Sequence, residues 1–567
     1  MTRQSMKRHS FRPRLLAAVF ALGLVAQACG DDGGGSTSAQ SGSTAGSGAA
    51  TTTLVPKSGG VLTFGVYGET PGLDPVVSNG SGTTGGHEMN AVFDTLMRWN
   101  PKAQKYETRL AESLTPNADA VEWTMKLKAN LKFTDGTALD ADAVKYNIQR
   151  HTTFSSRAAG LVARIKDITV VDPLTVKFTL TSAWGGFPYV LSYTPGMIGS
   201  PTALKACGDK KPRDCEFNTA PVGAGPFQID SFKPKEAITL KKNPAYSGGA
   251  PYLDGLKFVF LDTGASKTYT ALQTGSINAA FLRQPEYIKK TQAEGIEGYT
   301  ALNWLGGILL INNGVTVKCS GGKPEPACTG KADGTAVPTT PPTTDKRVRQ
   351  AIAYATNPDT INQRLWNGAG FAGTEFFQKS SRFYTGTPGT TYDLTKAKAL
   401  VDEVKKEGKW DGSIRINCHN GNLNWGVAVQ AMLESAGFKV TRKDDQDVAG
   451  LISDIQVKKD YDVACWGFNV YEDDPFINLN QNLQSKSAGN WMGYANPEVD
   501  KLLDQAVTAK TDAERKTAFD GIAKIWNTDV PSVVFEATGE MVAWRKDVHG
   551  VEVTVANSAL FDKAWIG

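Results

Sequence analysis

Histidine is scarce in this sequence, and its cysteines lack the spacing of a metal site. The 567 residues include five histidines and seven cysteines, and no two cysteines form a C-x-x-C pair. A structural zinc site therefore has little support. The chain also lacks a Walker A loop, G-x-S-x-G and H-E-x-x-H, so ATP hydrolysis and common hydrolase chemistry are not indicated. We expect no cofactor, no metal site and no catalytic residues.

One short motif requires that an enzyme be considered as the alternative class of protein. Ser320 and Lys323 fit the S-x-x-K pattern of penicillin-recognising acyltransferases, which need both side chains on one helical face. Here the pattern lies among Gly and Pro residues between Cys319 and Cys328, with no K-T-G or S-D-N elsewhere. We therefore predict that the protein is not an enzyme.

Long hydrophobic runs are also missing, and the one apolar run is short. Residues 15–25 are apolar and follow a basic head, the plan of a secretory signal peptide over residues 1–28. Eleven residues are well short of the ~20 that a transmembrane helix needs. The sequence predicts export from the cytoplasm. The basic residues of the head are Arg3, Lys7, Arg8, Arg12 and Arg14.

A cysteine follows the apolar run at the expected cleavage point. Ala26-Gln27-Ala28-Cys29 resembles a bacterial lipobox, although Ala26 stands where leucine is usual, and this resemblance implies a lipid on Cys29. Residues 30–53 are almost wholly Gly, Ser, Thr, Ala and Asp, a composition typical of a flexible tether. We predict a tether over residues 29–57 and a lipid-anchored protein at the extracytoplasmic face of the cell membrane. The alternative is ordinary cleavage with Cys29 incidental.

Net charge gives no indication of a nucleic-acid partner. Removing residues 1–28 takes away five basic and no acidic residues, so the formal charge changes from +4 to about −1. No basic tract remains in the mature chain, and we expect no contact with nucleic acid.

The six cysteines that follow Cys29 are an even number, which in an exported protein favours disulfides. Cys207 with Cys215, and Cys319 with Cys328, bracket short stretches that such bonds would close, which leaves Cys418 with Cys465. Fifteen pairings are formally possible, and nearness in the chain only ranks them.

Strand and helix patterns alternate through the body. Residues 168–171 and 174–180 read as a hairpin around Asp172-Pro173, and residues 123–127 alternate as a strand. Asn496-Pro497-Glu498 and Thr511-Asp512-Ala513-Glu514 predict two helix starts, the second with a capping box. The predicted fold class is mixed α/β or α+β with several domains.

An ordered series of motifs over residues 59–535 resembles the extracytoplasmic solute-binding proteins of the peptide and nickel class, which serve ATP-binding-cassette importers. The matching stretches are residues 59–62, Leu73-Asp74-Pro75, 122–127, 131–137, 141–144, 221–227, 242–246, 251–254, 345–352 and 494–497. Most have structural roles: Asp135-Gly136 suits a tight turn, and Gly223 and Gly225 precede a strand.

The resemblance implies a two-lobed periplasmic-binding-protein fold with three domains and a hinge. Transferred by motif order, domain I covers residues 58–100, 218–300 and 535–567, domain II covers residues 101–217, and domain III covers residues 301–534. The same resemblance implies a monomer that closes around an oligopeptide or dipeptide and delivers it to a permease with cytoplasmic ATPases. The alternatives are a non-peptide solute such as a sugar, metal chelate or haem, and a sensor or adhesin role.

The resemblance also indicates candidate ligand-binding residues. In the family, a tryptophan is followed three residues later by an aspartate that anchors the peptide's ammonium; here Trp466 is followed by Asn469, an amide that cannot neutralise that charge. Either Glu472 or Asp473 replaces the anchor, or the ligand has no free amine. The alternative, of equal weight, is that Glu472-Asp473-Asp474 forms a solvated acidic turn with no role in ligand binding. The remaining candidates are Tyr67, Glu69, Asn312 beside Asn313, Phe468 and Tyr471. Residues 314–344 read as a surface insertion.

Overall fold

A computed structural model describes residues 54–261 and 265–567. The predicted signal peptide, Cys29 and most of the predicted tether lie outside these residues, so their interpretation stays a prediction. In the described part of the chain, none of the helices combines the length and the apolar character that crossing a bilayer requires.

The strands are numbered here in chain order. They are β1 Val61–Val66, β2 Met97–Asn100, β3 Lys105–Thr108, β4 Ala111–Pro116, β5 Glu122–Leu127, β6 Ile165–Asp172, β7 Thr175–Leu180, β8 Phe227–Lys233, β9 Ala237–Lys242, β10 Gly255–Phe260, β11 Ala279–Leu282, β12 Glu297–Ile311, β13 Thr316–Lys318, β14 Ala336–Pro338, β15 Phe371–Ala372, β16 Ser413–Asn417, β17 Lys439–Lys443, β18 Val463–Trp466, β19 Ser532–Trp544, β20 Val548–His549, β21 Glu552–Thr554, β22 Ser558–Leu560 and β23 Trp565–Ile566.

The α-helices are numbered in the same way. They are α1 Gly86–Phe93, α2 Ala141–Thr153, α3 Ala159–Val162, α4 Pro188–Ser192, α5 Pro201–Lys205, α6 Ser266–Thr274, α7 Pro285–Ala293, α8 Lys346–Ala355, α9 Pro358–Trp366, α10 Leu394–Lys406, α11 Leu423–Ser435, α12 Val448–Ile452, α13 Pro475–Leu483, α14 Pro497–Thr508 and α15 Asp512–Asp529.

One mixed sheet runs through most of the molecule, in the order β17-β16-β18-β12-β19-β11-β1-β10-β9-β8, with β15 beside β19. Its two longest strands, β12 and β19, are 15 and 13 residues long and pair with each other. β11 pairs with one end of β19, and β18 pairs with the opposite end of β12. The predicted domain boundaries near residues 300 and 535 therefore fall inside the two strands that connect both halves of the sheet.

A second sheet of four strands, β4-β5-β7-β6, lies in the region predicted as domain II. β6 and β7 form the antiparallel hairpin predicted from their alternation, and Trp123, Met125 and Leu127 of β5 are buried as their period-2 pattern requires. The prediction of a mixed α/β fold is confirmed.

The two predicted helix starts are also confirmed. The Asn496 side chain accepts hydrogen bonds from the backbone N–H groups of Glu498 and Val499 at the start of α14. At the start of α15, Thr511 and Glu514 form the reciprocal capping box. Such caps satisfy backbone donors that have no partner within a helix, and they depend only on near neighbours in the chain.

Two glycines before β8 allow close packing onto α1. A Cβ at Gly223 would lie 2.3 Å from the Val92 carbonyl oxygen, and one at Gly225 would lie 2.6 Å from the same oxygen. Real Cβ atoms do not approach this closely, so any larger side chain would push the α1 backbone away. These glycines are structural, as the sequence indicated.

The cysteines are joined as Cys207–Cys215, Cys319–Cys328 and Cys418–Cys465. This is the pairing that nearness in the chain ranked first. Cys319–Cys328 ties the loop that follows β13, a strand that pairs with β14 inside the predicted insertion. Cys418–Cys465 links β18 to the chain just beyond β16, two strands that are neighbours in the main sheet.

The largest hydrophobic core joins the four-stranded sheet to α13, α14, α15 and the middle of β12. Trp184, in the region predicted as domain II, stacks edge-on with Phe476 of α13 at 6.4 Å between ring centroids. The Arg164 guanidinium lies over both rings, 5.4 and 5.3 Å from their centroids. The regions predicted as domains II and III are therefore in direct apolar contact.

Candidate ligand-binding site

A group of polar side chains lies where β12 departs from regular pairing. The register of β12 against β19 shifts between Asn303 and Gly307, and Leu305 has a positive φ of 55°. The chain after β18 fills this gap, because Trp304 and Val470 exchange backbone hydrogen bonds of 2.8 and 3.1 Å. The irregular stretch thus brings residues 466–475, which include most of the candidate ligand-binding residues, against β12.

Glu472 is held by structural hydrogen bonds. Its carboxylate accepts bonds from Trp304 Nε1 at 2.5 Å, Ser381 Oγ at 2.9 Å and the Arg382 backbone N–H at 2.8 Å. Burial raises the pKa of Glu472, and these donors oppose that rise. The carboxylate anchors the segment to the residues around position 381.

Asp473 and Asp474 are buried, not solvated. Asp473 accepts bonds from the backbone N–H of Ala556 at 2.8 Å and of Asp474 at 2.9 Å. Asp474 caps α13 through the Phe476 N–H at 3.2 Å, and burial raises its pKa to about 6. The solvated-turn alternative for these two residues is wrong, because the chain around Ala556 and the start of α13 cover them.

Asn469 is exposed and has a positive φ of 54°, a conformation that asparagine adopts more readily than most residues. Its Oδ1 accepts hydrogen bonds from Arg283 Nη2 at 3.2 Å and from Asn303 Nδ2 at 3.0 Å. Both hydrogen bonds end on the side-chain oxygen of Asn469, so neither involves its NH2 group. The amide NH2 of Asn469 has no partner among the hydrogen bonds of the described residues.

Arg283 follows β11 and is paired with a buried acid. Its Nε lies 3.3 Å from Glu540 Oε1; a quarter of the Arg283 side chain is exposed, whereas Glu540 is fully buried. Burial raises the pKa of Glu540, and the Arg283 charge opposes the rise. Neither carboxylate oxygen of Glu540 has a well-formed hydrogen bond within the described residues.

Two predicted tyrosines complete this group. The guanidinium of Arg283 lies 5.9 Å from the ring centroid of Tyr67. Tyr471 is half-buried, and burial together with the Glu540 charge raises its pKa well above the usual range. We call the set Tyr67, Arg283, Asn303, Asn469, Tyr471 and Glu540 the Arg283 cluster.

The structure places the other aromatic candidates differently. Trp466 is half-buried and meets Trp491 edge-on at 5.6 Å. Phe468 is buried against Trp526, with 6.3 Å between ring centroids. Phe468 is thus a core residue in this structure, while Trp466 keeps an exposed face.

Asn312 and Glu69 lie apart from the cluster. Asn312 is buried; its Oδ1 accepts bonds from the backbone N–H groups of Gly314 and Val315, and its amide donates to the Tyr461 carbonyl oxygen. It fixes the end of β12. Glu69 is exposed and lines a separate cavity with Glu88 and the turn between β8 and β9.

The sequence interpretation did not include Arg283, Asn303 or Glu540. One indication was present: Glu536 and Glu540 interrupt the otherwise mainly apolar strand β19 on one face, and buried carboxylates need a partner. Nothing in the sequence identifies Arg283 as that partner. In residues 54–261 and 265–567 there is no group of three His, Cys, Asp or Glu side chains placed to hold a metal ion.

Comparisons with known proteins agree on the class. The oligopeptide-binding protein AppA of Bacillus subtilis, solved with a nonapeptide, has a TM-score of 0.72 and 22% identity, covering 90% of this chain and 100% of that one. AgaA of A. tumefaciens R10, solved with agropinic acid, has a TM-score of 0.69 and 26% identity, covering 90% of this chain and 99% of that one. The fold is that of the substrate-binding proteins of ATP-binding-cassette transporters.

Sequence comparison defines the family. Residues 105–490, about two thirds of the chain, match the bacterial extracellular solute-binding proteins, family 5. The chain belongs to this family, whose members bind solutes, and the predicted resemblance is confirmed. A curated relative is the probable D,D-dipeptide-binding periplasmic protein DdpA of Escherichia coli K12, 26% identical over 96% of each chain.

Proposed function

We propose that this protein is the receptor of an ATP-binding-cassette importer, which captures an oligopeptide or dipeptide outside the membrane and delivers it to a permease. The observation that carries the proposal is the family match over residues 105–490. The relatives named for a D,D-dipeptide and for a nonapeptide favour a peptide as the solute. The lipid on Cys29, the monomeric state and the permease partner belong to the same proposal.

The fold offers a simple way to couple binding to delivery. β12 and β19 connect the two halves of the main sheet, and the Arg283 cluster lies beside the irregular part of β12. A solute bound there touches residues on both halves, so it favours the closed arrangement over an open one. The Asp473 carboxylate accepts a hydrogen bond from the Ala556 N–H, which joins the 466–475 segment to the C-terminal part of the chain.

Native mass spectrometry of the protein purified without denaturation tests the identity of the solute. We expect a copurified peptide whose mass disappears after unfolding and refolding. A sugar, haem or metal chelate would overturn the peptide assignment and favour the second candidate, a non-peptide solute. The solved complex of AgaA with agropinic acid is the observation that favours that candidate.

Replacing Trp466 with Ala should weaken solute binding by about tenfold, because the half-buried indole keeps part of its apolar surface accessible for stacking. The measurement is the solute-induced rise in the melting temperature, whose size follows occupancy. Trp410→Ala is the control: this indole packs on Phe438 at the far edge of the sheet. An equal rise in wild type and Trp466→Ala would remove Trp466 from the site.

A further inference from the structure

The exposed side of the Arg283 cluster is rich in hydrogen-bond donors. Arg283 carries five N–H donors, and its neighbours Glu540, Asn469 and Tyr67 engage only some of them. The NH2 group of Asn469, which has no partner among the described residues, adds two more donors beside it. The hydroxyl groups of Tyr67 and Tyr471 belong to the same cluster and donate as well.

The carboxylate of the cluster is on its buried side. Glu540 is fully buried beneath Arg283, and the Oδ1 of Asn303 is buried too. The two nearest acids of the 466–475 segment, Glu472 and Asp473, are bonded to Trp304, Arg382 and the Ala556 backbone. A solute that reaches the exposed side therefore meets a guanidinium and an amide, not a carboxylate.

The Arg283–Glu540 pair resembles the way an arginine is oriented for anion recognition. Nε of Arg283 lies 3.3 Å from the buried acid, and Nη2 donates to the exposed Asn469, so the guanidinium extends from the buried side of the cluster toward its exposed side. A planar guanidinium matches a carboxylate in bidentate geometry. An ammonium at the same place would meet a like charge, which disfavours it.

We propose that Arg283 and the amide of Asn469 form a subsite for a carboxylate group of the solute. This rests on the proposed function and deepens it: the solute is held at this point by its acid end, as a peptide's C-terminal carboxylate would be, and a free amine is not required there. An acid at position 469 would repel the carboxylate of the solute, so the neutral amide of Asn469 favours its binding.

The first test uses two small probes of opposite charge, so that it does not depend on the solute being a peptide. Glutarate and 1,5-diaminopentane are compared at equal ionic strength by their effect on the melting temperature. Glutarate should stabilise the wild-type protein, and the diamine should not. A diamine-specific stabilisation, or the absence of any effect of glutarate, would overturn the subsite.

Variants then locate the effect. Arg283→Gln should weaken glutarate binding by at least about tenfold, the usual weight of a charge-assisted pair. Arg442→Gln is a matched control, because Arg442 is 26% exposed and its Nε also lies 3.3 Å from a carboxylate, that of Asp444. Equal glutarate binding in wild type and Arg283→Gln would contradict the proposal. If Arg283→Gln does not fold, Asn469→Asp answers the same question, since its carboxylate should reduce glutarate binding and permit diamine binding.

Peptides separate this inference from the proposed function. Trialanine, its C-terminal amide and N-acetyl-trialanine are titrated by calorimetry. The amide should bind at least about tenfold more weakly than trialanine, and the acetylated form should bind about equally. If acetylation abolishes binding and amidation does not, the subsite is wrong although the peptide receptor stands. If no peptide binds but glutarate does, the peptide assignment fails and the subsite stands.

Discussion

Replacing Asp74 with Ala should lower the free energy of unfolding by about 3–5 kcal/mol, because it leaves a buried guanidinium without its counter-charge. Asp74 belongs to the Leu-Asp-Pro motif after β1 and is 1% exposed. Arg150 of α2 donates to both of its oxygens, at 3.1 and 2.7 Å. Denaturant unfolding, followed by tryptophan fluorescence, measures the change.

Two variants give this prediction its control. Glu122→Ala breaks the exposed pair with Lys177, in which both side chains are 38% exposed, and should cost less than about 1 kcal/mol. The double variant Asp74→Leu with Arg150→Met should recover most of the stability, since no charge is then left buried. A loss in Asp74→Ala no larger than in Glu122→Ala would show that the pair does not stabilise the fold.

Replacing Glu88 with Gln should remove a pH-dependent loss of stability. Glu88 lies in the first turn of α1, its Oε2 has no hydrogen-bond partner within the described residues, and burial raises its pKa from 4.5 to about 7. Since the folded-state pKa exceeds the unfolded one, this group's contribution is fully present below about pH 4.5. It is lost as the pH rises through about 7.

We therefore expect wild type to lose about 2 to 3 kcal/mol relative to Glu88→Gln between pH 5 and pH 8. Parallel denaturation series at both pH values measure the difference. The other charged groups of the cavity, Glu69, Lys233, Lys235 and Glu236, are exposed and contribute less. Glu286→Gln, an exposed acid in the first turn of α7, is the control and should run parallel to wild type. If the free energies of unfolding of wild type and Glu88→Gln changed equally between pH 5 and pH 8, the prediction would be refuted.

Much of the local structure could be read from short-range patterns. The caps at Asn496 and Thr511 involve residues two or three positions apart, and the β6–β7 hairpin needs only alternation around one turn. The disulfides Cys207–Cys215 and Cys319–Cys328 span 8 and 9 positions. In each case the physical cause lies within the window of sequence that reveals it.

The candidate site was only partly predictable, because its contacts join distant parts of the chain. The family motif indicated the segment around Trp466 and Asn469, and the structure gives Asn469 a partner in Arg283, 186 positions away. The acidic run shows the same limit. The sequence of this run fits a solvated turn as well as it fits a ligand contact. Only the packing of the chain near Ala556 buries Asp473.

The sequence by itself indicated the family, the mixed α/β class and the ends of several helices, because motif order and capping are properties of neighbouring residues. Only the tertiary structure decided which polar groups meet. It placed Glu540 beneath Arg283. It also engaged the side chains of Glu472 and Asn312, both predicted to bind ligand, in hydrogen bonds that hold the fold together. The order of strands in the sheet sets those distances, and it arises from burial over the whole chain and not from any one segment.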